Sequence, residues 1–473
     1  MLEDVFPAKS ASDTGALGMA ILFMSSPICG ACAGCEREGT VATPTIDQYL
    51  KIDKYHAPQW LGDRAKRRFH VMVKPAGSAC NLDCTYCFYL SKQTLPGGPG
   101  GGHMDDEVLE RFVRDYIASV TADEVVFSWQ GGEPTLMGLD FFRKVVALQK
   151  KHAKPGQWIE NDLQTNGTLL DEDWARFLKE HRFLVGLSID GPKDIHDKYR
   201  ITKRGAQTFD TVYAAAKMLQ RFGVPFNTLT CVNRYNASRP LDVYRFLRRE
   251  LGSTYLQFIP IVEPKGFETT APQKWDPAQL PVVGTPQAKP DHPDSVVTPW
   301  SVDPDEYGYF LSKVWDEWLA RDYGKVMVTF CETLVVQHMG MPAQNCIQSE
   351  FCGKGVAIEH DGSVYACDHY VYPEYRLGNV KQKSLGDMVF APTQVKFAYA
   401  KSDTLPAYCK QCAFLRDCWG ECPKNRLVRA PDGEPGLNYL CPGLKKFFAH
   451  AAPTAEKLAV KLRAAPGSPR PRM

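Results

Sequence analysis

The sequence predicts an α/β protein in which six βα units form a partial parallel barrel and a small cysteine-rich domain follows. Three observations support this fold class. Short apolar runs alternate with amphipathic helical patterns from about residue 68 to residue 261. Polar or Gly-Pro-rich segments follow five of the runs, and eight of the 16 cysteines fall between Cys346 and Cys441.

The bulk composition argues against several classes of protein. With 473 residues, 44% of them hydrophobic and 23% charged, the chain is a globular protein of roughly two to three domains. Its net charge of +2 gives no reason to expect nucleic acid or a membrane surface as a partner. The longest apolar run, residues 16–24, is too short to span a bilayer and lacks the features of a signal peptide. We expect a cytoplasmic enzyme.

The strands and helices of the barrel are predicted from their periodicity and caps. Strands are expected at residues 69–74, 125–129, a run ending near 165, 183–189, 226–232 and 255–261. Helices are expected after Asp105, at 140–151, after Asp171, at 208–223 and at 241–251, and a further one at 303–323. Asp105 and Asp171 are good N-caps, and Gly223 is a good helix end.

The polar segments are expected to meet at one end of the barrel. Cysteines follow the first strand, and residues 130–134, 164–168, 188–192 and 260–264 follow or end the second, third, fourth and sixth. In (β/α) barrels, chemistry takes place at the C-terminal ends of the strands. The sequence therefore predicts a functional site there.

The domain boundaries follow from these patterns. Residues 1–67 are expected to be a poorly ordered extension, in which Cys29, Cys32 and Cys35 make an incomplete ferredoxin-like pattern. The remaining segments are the core at 68–300 with a Pro-rich loop at 264–300, a helical connection at 301–345, the cysteine-rich domain at 346–445 and a tail at 446–473.

Three cysteines, Cys80, Cys84 and Cys87, lie within eight residues after the first strand. A structural zinc ion would need four ligands in a closed site. An iron–sulfur cluster held by three thiolates keeps one iron free for another ligand. The triplet therefore favours a cluster with an open position.

Eight cysteines in the C-terminal part are enough for two complete four-thiolate sites, and only Cys409 and Cys412 must share one. Two structural zinc ions and two iron–sulfur clusters are both compatible with this number. The eight are Cys346, Cys352, Cys367, Cys409, Cys412, Cys418, Cys422 and Cys441.

These motifs resemble those of a known family. The C-x3-C-x2-C spacing at Cys80, with Tyr86 before the last cysteine, is similar to the signature of the radical SAM enzymes, and the segment 131–134 strengthens the likeness. The cysteines from Cys409 to Cys422 resemble the core of a SPASM auxiliary-cluster domain. Within that superfamily, residues 69–450 are most similar to the anaerobic sulfatase-maturating enzymes. The resemblance implies a partial (β/α)6 TIM-like barrel followed by a SPASM domain.

The resemblance also implies cofactors and site residues. Cys80, Cys84 and Cys87 would hold a [4Fe–4S] cluster that binds S-adenosylmethionine. The rest of this cofactor would be bound by Tyr86, Gly132, Ser188, Arg200 and Val262. Two auxiliary [4Fe–4S] clusters would be held by Cys346, Cys352, Cys367 and Cys422, and by Cys409, Cys412, Cys418 and Cys441. Asp368 matches the catalytic base of the family.

The activity implied is oxidation of a cysteine or serine side chain in a sulfatase to Cα-formylglycine. A radical from S-adenosylmethionine would remove a Cβ hydrogen, Asp368 would take a proton, and the auxiliary clusters would take an electron. The expected partners are an unfolded or nascent sulfatase and a low-potential donor such as flavodoxin or ferredoxin. The alternative is another peptide-modifying enzyme with the same domains, such as a thioether-forming maturase. A non-catalytic metal-binding or electron-carrier protein is a third possibility.

Overall fold

The computed structural model describes residues 68–353 and 355–464, and their strands belong to two sheets. The larger sheet contains β1 (His70–Lys74), β2 (Glu124–Trp129), β3 (Trp158–Thr165), β4 (Leu184–Ser188), β5 (Phe226–Val232), β6 (Tyr255–Pro260), β7 (Met327–Val328), β8 (Gly355–Glu359), β9 (Ser363–Tyr365) and β10 (Arg376–Asn379). The smaller sheet pairs β11 (Val428–Arg429) with β12 (Pro435–Leu437).

The large sheet has the order β10-β9-β8-β1-β2-β3-β4-β5-β6-β7. All neighbours from β8 through β1 to β7 run parallel, whereas β9 and β10 are antiparallel. The six predicted strands are therefore confirmed as β1 to β6, in sequential order. The four other strands were not predicted, because two- to five-residue apolar runs give no usable periodicity.

The helices of the first half lie between the strands. They are α1 (Asp106–Ser119), α2 (Gly138–His152), α3 (Glu172–Glu180), α4 (Lys193–Tyr199), α5 (Phe209–Phe222) and α6 (Pro240–Arg245). The predicted caps are confirmed: Asp105 accepts a hydrogen bond from the N–H of Val108, Asp171 accepts one from Trp174, and Gly223 ends α5 at φ 65°.

The helices of the second half are α7 (Pro304–Glu317), α8 (Thr329–His338), α9 (Leu385–Val389), α10 (Pro392–Asp403), α11 (Ala407–Lys410), α12 (Leu415–Cys418) and α13 (Cys441–Ala464). The predicted helix at 303–323 is α7 followed by a π-helical turn at Trp318–Asp322, and α6 ends in a similar turn at Phe246–Glu250. No helix in these described ranges is long and apolar enough to cross a membrane.

Aromatic side chains between the sheet and its helices form the centre of the core. Phe112 and Tyr116 of α1 pack against Phe127 and Trp129 of β2, with ring centroids 4.9–6.3 Å apart. All four are fully buried. Burial of side chains of this size stabilises the fold by about 1.5–3 kcal/mol each. The packing holds β1 and β2 in place, and their carboxyl ends carry the predicted site.

Helix α13 is the largest difference from the sequence prediction. Residues 446–464 were assigned to a tail, but they continue this helix. The apolar residues Phe447, Phe448, Ala451 and Leu458 are buried in it at helical spacing. Pro453 concealed the pattern, because proline inside a helix usually breaks it. Residues 1–67, including Cys29, Cys32 and Cys35, and residues 465–473 lie outside the described residues.

The predicted Pro-rich loop contains one short 3₁₀ turn, Pro286–Ala288, and is held by contacts at both ends. The Tyr372 hydroxyl donates to the carbonyl of Phe267 at 2.5 Å, and that of Tyr375 donates to Pro272 at 2.8 Å. At the other end, Thr298 N–H donates to Glu263 at 2.8 Å. The loop is therefore attached both to the end of β6 and to the segment before β10.

Helices α7 and α13 approach so closely that only glycine fits between them. A Cβ atom on Gly443 would lie 1.7 Å from the carbonyl oxygen of Pro304, and one on Gly308 would lie 2.3 Å from that of Gly443. Gly443→Ala is expected to lower the free energy of unfolding by about 1–3 kcal/mol, because the backbones of α7 and α13 must move apart. Gly355→Ala is the control, since its Cβ would meet only Met72 at 3.4 Å. Equal stability of both variants in chemical denaturation would contradict the close approach.

Candidate functional site

The cysteine triplet lies on the loop after β1, and this loop is hydrogen-bonded to the end of α4 and to the residues that follow it. The N–H of Asp83 donates to Ile201 at 2.8 Å, and that of Thr85 donates to Tyr199 at 3.1 Å. Cys80, Cys84 and Cys87 are each half-buried. Their thiols are close enough for their charges to interact, and burial raises the pKa of Cys80 to about 11. Thiolates in this environment need compensating positive charge, which iron would supply.

The glycine pair after β2, Gly131 and Gly132, packs against the backbone that leads to this cysteine loop. The N–H of Gly132 donates to Gly77 at 2.9 Å, and that of Glu133 donates to Ala79 at 2.8 Å. A Cβ on Gly132 would lie 2.0 Å from the Ala79 carbonyl oxygen, so any other residue would displace the cysteine loop. The close approach of the Ala79 carbonyl therefore requires glycine at position 132.

Glu133 joins the ends of β2 and β3. Its fully buried carboxylate accepts hydrogen bonds from the hydroxyls of Thr135 and Thr165, and from the N–H groups of Thr135 and Asn166, at 2.7–3.1 Å. Burial raises its pKa, although these donors oppose the shift. The network fixes Asn166, whose side-chain amide lies 3.7 Å from the sulfur of Cys80 and 2.9 Å from Asn81.

Asp190, two residues beyond the end of β4, pairs with two predicted cofactor residues. It accepts a hydrogen bond from the hydroxyl of Tyr86, and its carboxylate is 3.1 Å from Nε of Arg200. The Arg200 guanidinium also lies over the Tyr86 ring, 5.6 Å from its centroid. Ser188, the last residue of β4, is 8% exposed. Tyr86 and Arg200 thus contact one buried carboxylate, and Ser188 precedes that residue by two positions at the end of β4.

Asp368 forms an ion pair with Lys74, the last residue of β1. Burial raises the pKa of Asp368, but Lys74 and neighbouring cations outweigh it and hold the pKa below its usual value. The Lys74 ammonium also lies 4.5 Å above the ring of Tyr89, whose hydroxyl donates to the buried carboxylate of Glu359. Asp368 is therefore held as a carboxylate at the barrel mouth, directly after Cys367.

Lys424 connects the end of β6 to the cysteine-rich segment. Its ammonium donates to the carbonyl of Val262 at 2.7 Å and to the carboxylate of Glu263 at 2.8 Å. All three residues are buried, and Lys424 follows Cys422 by two positions. The predicted cofactor residue Val262 is thus held beside one of the cysteine sets.

Lys92 is fully buried, and its ammonium has no hydrogen-bond partner in the described part of the chain. It lies 3.3 Å from the centroid of the Tyr372 ring. Burial lowers the pKa of Lys92 to about 7, although the charges of Glu263, Asp368 and Glu359 oppose the shift. Its charge is therefore stabilised mainly by the ring and these carboxylates.

The four thiols of the second predicted set line one cavity. Apolar side chains and the cation Lys445 complete the wall, which includes Cys409, Cys412, Cys418, Cys441, Phe414, Leu444 and Phe448. The first set is also brought together. Burial raises the pKa of Cys367 well above its usual value, and the charges of Cys346, Cys422 and Cys352 add to this.

The set at Cys409, Cys412, Cys418 and Cys441 therefore surrounds a shared space with four thiols. Four thiolates around one space are the ligand type that iron–sulfur clusters use. Among residues 68–353 and 355–464, no three His, Cys, Asp or Glu side chains form a group that could hold a single metal ion.

Sequence reasoning identified the cysteines and the polar strand ends but missed their partners. Lys74, Asp190 and Lys424 were not assigned roles, although each pairs with or contacts an assigned residue. A charged residue at the end of a buried strand, as at Lys74, is a signal that could have found one of them. The other two are recognisable only from the fold.

Two protein-family models match the chain. The model described as the radical SAM superfamily matches residues 75–247, and the one described as an iron–sulfur cluster-binding domain, SPASM, matches residues 346–413. The first range includes the cysteine triplet, and the second includes five of the eight later cysteines, from Cys346 to Cys412. The fold and the site therefore define a radical SAM protein with an auxiliary iron–sulfur domain.

Comparison with relatives of known name identifies the family within this class. A serine-type anaerobic sulfatase-maturating enzyme of Bacteroides thetaiotaomicron is 41% identical over 384 residues, 81% of this chain and 89% of that relative. A cysteine-type enzyme of Clostridium perfringens is 35% identical over 400 residues, 83% of this chain and 99% of that relative. The solved structure of native anSMEcpe with bound AdoMet and Cp18Cys peptide matches with a TM-score of 0.69 at 34% identity, covering 84% of this chain and 99% of that one. The chain belongs to the family of anaerobic sulfatase-maturating enzymes.

The first prediction for this site concerns the buried carboxylate beside the triplet. Asp190→Asn leaves the Arg200 guanidinium, which is 9% exposed, without its counter-charge. We expect a loss of about 3–5 kcal/mol in the free energy of unfolding, because an unpaired buried charge is costly. Asp194→Asn is the control, since its pair with Arg239 is exposed and should contribute less than about 1 kcal/mol. Equal losses in urea denaturation would contradict the prediction.

The second prediction concerns Lys92. A lysine pKa lowered in the folded state means that the unfolded chain binds more protons between about pH 7 and pH 10. The stability of the wild type therefore rises with pH across this range. Lys92→Met should be more stable than the wild type at about pH 6, and the difference should shrink as the pH approaches about 10.

Chemical denaturation at several pH values measures this difference. Lys144→Met, at a site that is 55% exposed, is the control and should show no such trend. A Lys92→Met difference that stays constant with pH would show that the amine titrates normally.

Proposed function

We propose that this chain oxidises a cysteine or serine side chain of a sulfatase polypeptide to Cα-formylglycine (3-oxoalanine), which activates the sulfatase. Both types of relative are named for sulfatase maturation. The observation that carries the proposal is the placement of Asp368. It is a carboxylate paired with Lys74 at the barrel mouth, directly after Cys367 of an auxiliary cysteine set.

The cofactor assignment is part of this proposal. Cys80, Cys84 and Cys87 would hold one [4Fe–4S] cluster, with S-adenosylmethionine bound on it among Tyr86, Gly132, Ser188, Arg200 and Val262. Two further [4Fe–4S] clusters would occupy the auxiliary sets, one at Cys346, Cys352, Cys367 and Cys422, the other at Cys409, Cys412, Cys418 and Cys441. When bound, these groups supply hydrogen-atom abstraction at the substrate Cβ and an acceptor for one electron.

Side chains of this protein are proposed to remove the proton of the substrate thiol or hydroxyl. Conversion of the substrate removes one hydrogen atom from Cβ, one proton from the thiol or hydroxyl and one electron. Asp368 is the proposed base for the proton, because its lowered pKa keeps it ionised near neutral pH. Lys74 orients the carboxylate and remains paired with it before the proton is transferred. With a cysteine substrate, water hydrolyses the resulting thioaldehyde to the aldehyde, and the sulfur leaves as hydrogen sulfide.

The buried pairs hold the rest of the site in place. Asp190 keeps Tyr86 and Arg200 beside the triplet, and Lys424 keeps Val262 beside an auxiliary set. Because these groups are bonded to each other rather than to water, they lose little energy in reorganising when a substrate enters. The arrangement supports a preformed site.

The proposed partners are a sulfatase polypeptide and an electron donor. The relatives include serine-type and cysteine-type enzymes, so both substrates remain in the proposal. The polypeptide would be unfolded or nascent, since the side chain must reach the barrel mouth, and a low-potential donor such as flavodoxin or ferredoxin would supply electrons. We place the reaction in the cytoplasm, where cysteines stay reduced and available to bind iron.

The alternative is a thioether-forming maturase with the same domains. That reaction would join a cysteine sulfur to another residue and would yield no aldehyde. Incubation with a sulfatase-derived peptide, in cysteine and serine forms, followed by mass spectrometry and aldehyde labelling, separates the two. Cleavage of S-adenosylmethionine without any change in peptide mass would refute the sulfatase assignment.

The corresponding prediction concerns Asp368. Asp368→Asn should still cleave S-adenosylmethionine but form formylglycine at least about 100-fold more slowly, because proton removal has lost its base. The measurements are 5′-deoxyadenosine by chromatography and product by mass spectrometry. Asp361→Asn is the control, since that carboxylate accepts hydrogen bonds from the backbone and the hydroxyl of Ser363. Full product formation by Asp368→Asn would remove this residue from the role.

A further inference from the structure

The two auxiliary cysteine sets are joined by an unusual turn. Cys418 belongs to one set and Cys422 to the other, and the three residues between them, Trp419, Gly420 and Glu421, all have positive φ, at 46°, 70° and 51°. Two of the four non-glycine residues with positive φ in the described part of the chain are in this turn. The turn directs neighbouring thiols into different sites.

The guanidinium of Arg426 is held under this turn. It donates from Nη1 to the hydroxyl of Thr404 at 2.7 Å and from Nη2 to the carbonyl of Lys401. A Cβ on Gly420 would come within 3.3 Å of Nη2. Arg426 is 6% exposed, and its buried Nε has no hydrogen-bond partner in the described residues.

The positive charge of Arg426 has no carboxylate partner. Within residues 68–353 and 355–464 it forms no ion pair with an aspartate or glutamate. The carboxylate of Glu421, on the same turn, instead accepts hydrogen bonds from Asn425 and Asn438 at 2.8 Å each. A buried charge without a counter-ion is costly, so an anionic group is expected beside it.

The turn places this charge beside both sets. Gly420, whose Cβ position lies 3.3 Å from Nη2, follows Cys418 of one set by two residues and precedes Cys422 of the other set by two residues. One guanidinium therefore lies against the turn that joins the two sets. Clusters ligated by four thiolates are anionic, and each would be an electrostatic partner for it.

We propose that Arg426 is a positioning residue shared by the two auxiliary sites, and that its buried charge raises the reduction potentials of both clusters together. The proposal rests on the assignment of the two cysteine sets to clusters made above. Reduction adds negative charge to a cluster, so a fixed cation nearby stabilises the reduced state. Because one cation serves both sites, the two potentials should change in parallel.

The test uses the full chain with Cys80, Cys84 and Cys87 replaced by alanine, so that only auxiliary clusters contribute to the electron paramagnetic resonance spectrum. Redox titrations measure the midpoint potentials of the auxiliary clusters in this parent protein and in its Arg426→Gln and Arg426→Lys variants. Both midpoint potentials should fall in Arg426→Gln and stay closer to the parent in Arg426→Lys, which keeps the charge. Arg429→Gln is the control, since that side chain donates to Leu280. It should change neither potential.

A second pair of variants tests the charge without removing the arginine. Thr404 is exposed and accepts from Arg426, so Thr404→Asp places a carboxylate beside the guanidinium, and Thr404→Asn is its neutral match. Thr404→Asp should lower both potentials relative to Thr404→Asn. This pair remains informative if Arg426→Gln fails to retain its iron.

The outcomes separate the hypotheses. Unchanged potentials in Arg426→Gln or in Thr404→Asp overturn the proposal. Equal shifts in Arg426→Lys and Arg426→Gln also overturn it, because they would indicate that Arg426 acts through its hydrogen bonds and not through its charge. A shift in one cluster alone overturns the shared role. If the parent protein binds no iron at the auxiliary cysteines, the cluster assignment itself fails, and this result is distinct from the others.

Discussion

The parallel pairing of β8 with β1 determines where the parts of the site meet. In this register Lys74 lies opposite Glu359, so the last residue of the first barrel strand faces the end of a strand from the cysteine-rich segment. The hairpin β8–β9 then leads directly to Cys367 and Asp368. Without this pairing, Asp368 and Lys74 would belong to separate parts of the protein. A sheet that extends across both parts holds them at a fixed distance.

Buried charges at the barrel mouth are the second constraint. Glu133, Asp190 and Glu263 are all buried, and each is compensated by hydrogen bonds or a cation. Such groups add little net stability compared with an apolar core, but removing one partner is expensive. They therefore specify one arrangement of loops rather than make the protein more stable. Positioning of this kind is what a reaction with a reactive radical requires, because side reactions must be excluded.

Much of the fold could be predicted from sequence because its signals are local. The caps at Asp105 and Asp171, the end at Gly223 and the six strands all follow from residues close in the chain. The cysteine spacing likewise indicates candidate ligands without any structure. The pairs Lys74–Asp368 and Val262–Lys424 could not be predicted, since the members of each pair are at least 162 residues apart. Helix α13 was missed because Pro453 interrupts its pattern. Local rules find elements and ligands, whereas long-range electrostatic partners emerge only from topology.

Helix α13 also has a consequence for biosynthesis. It begins at Cys441, one of the four cysteines that line the cavity, and packs against α7 through Gly308 and Gly443. As the chain leaves the ribosome, the triplet at Cys80 emerges early, whereas the wall of this cavity is incomplete until α13 has emerged. The cavity therefore forms only after all the strands of the barrel have been synthesised.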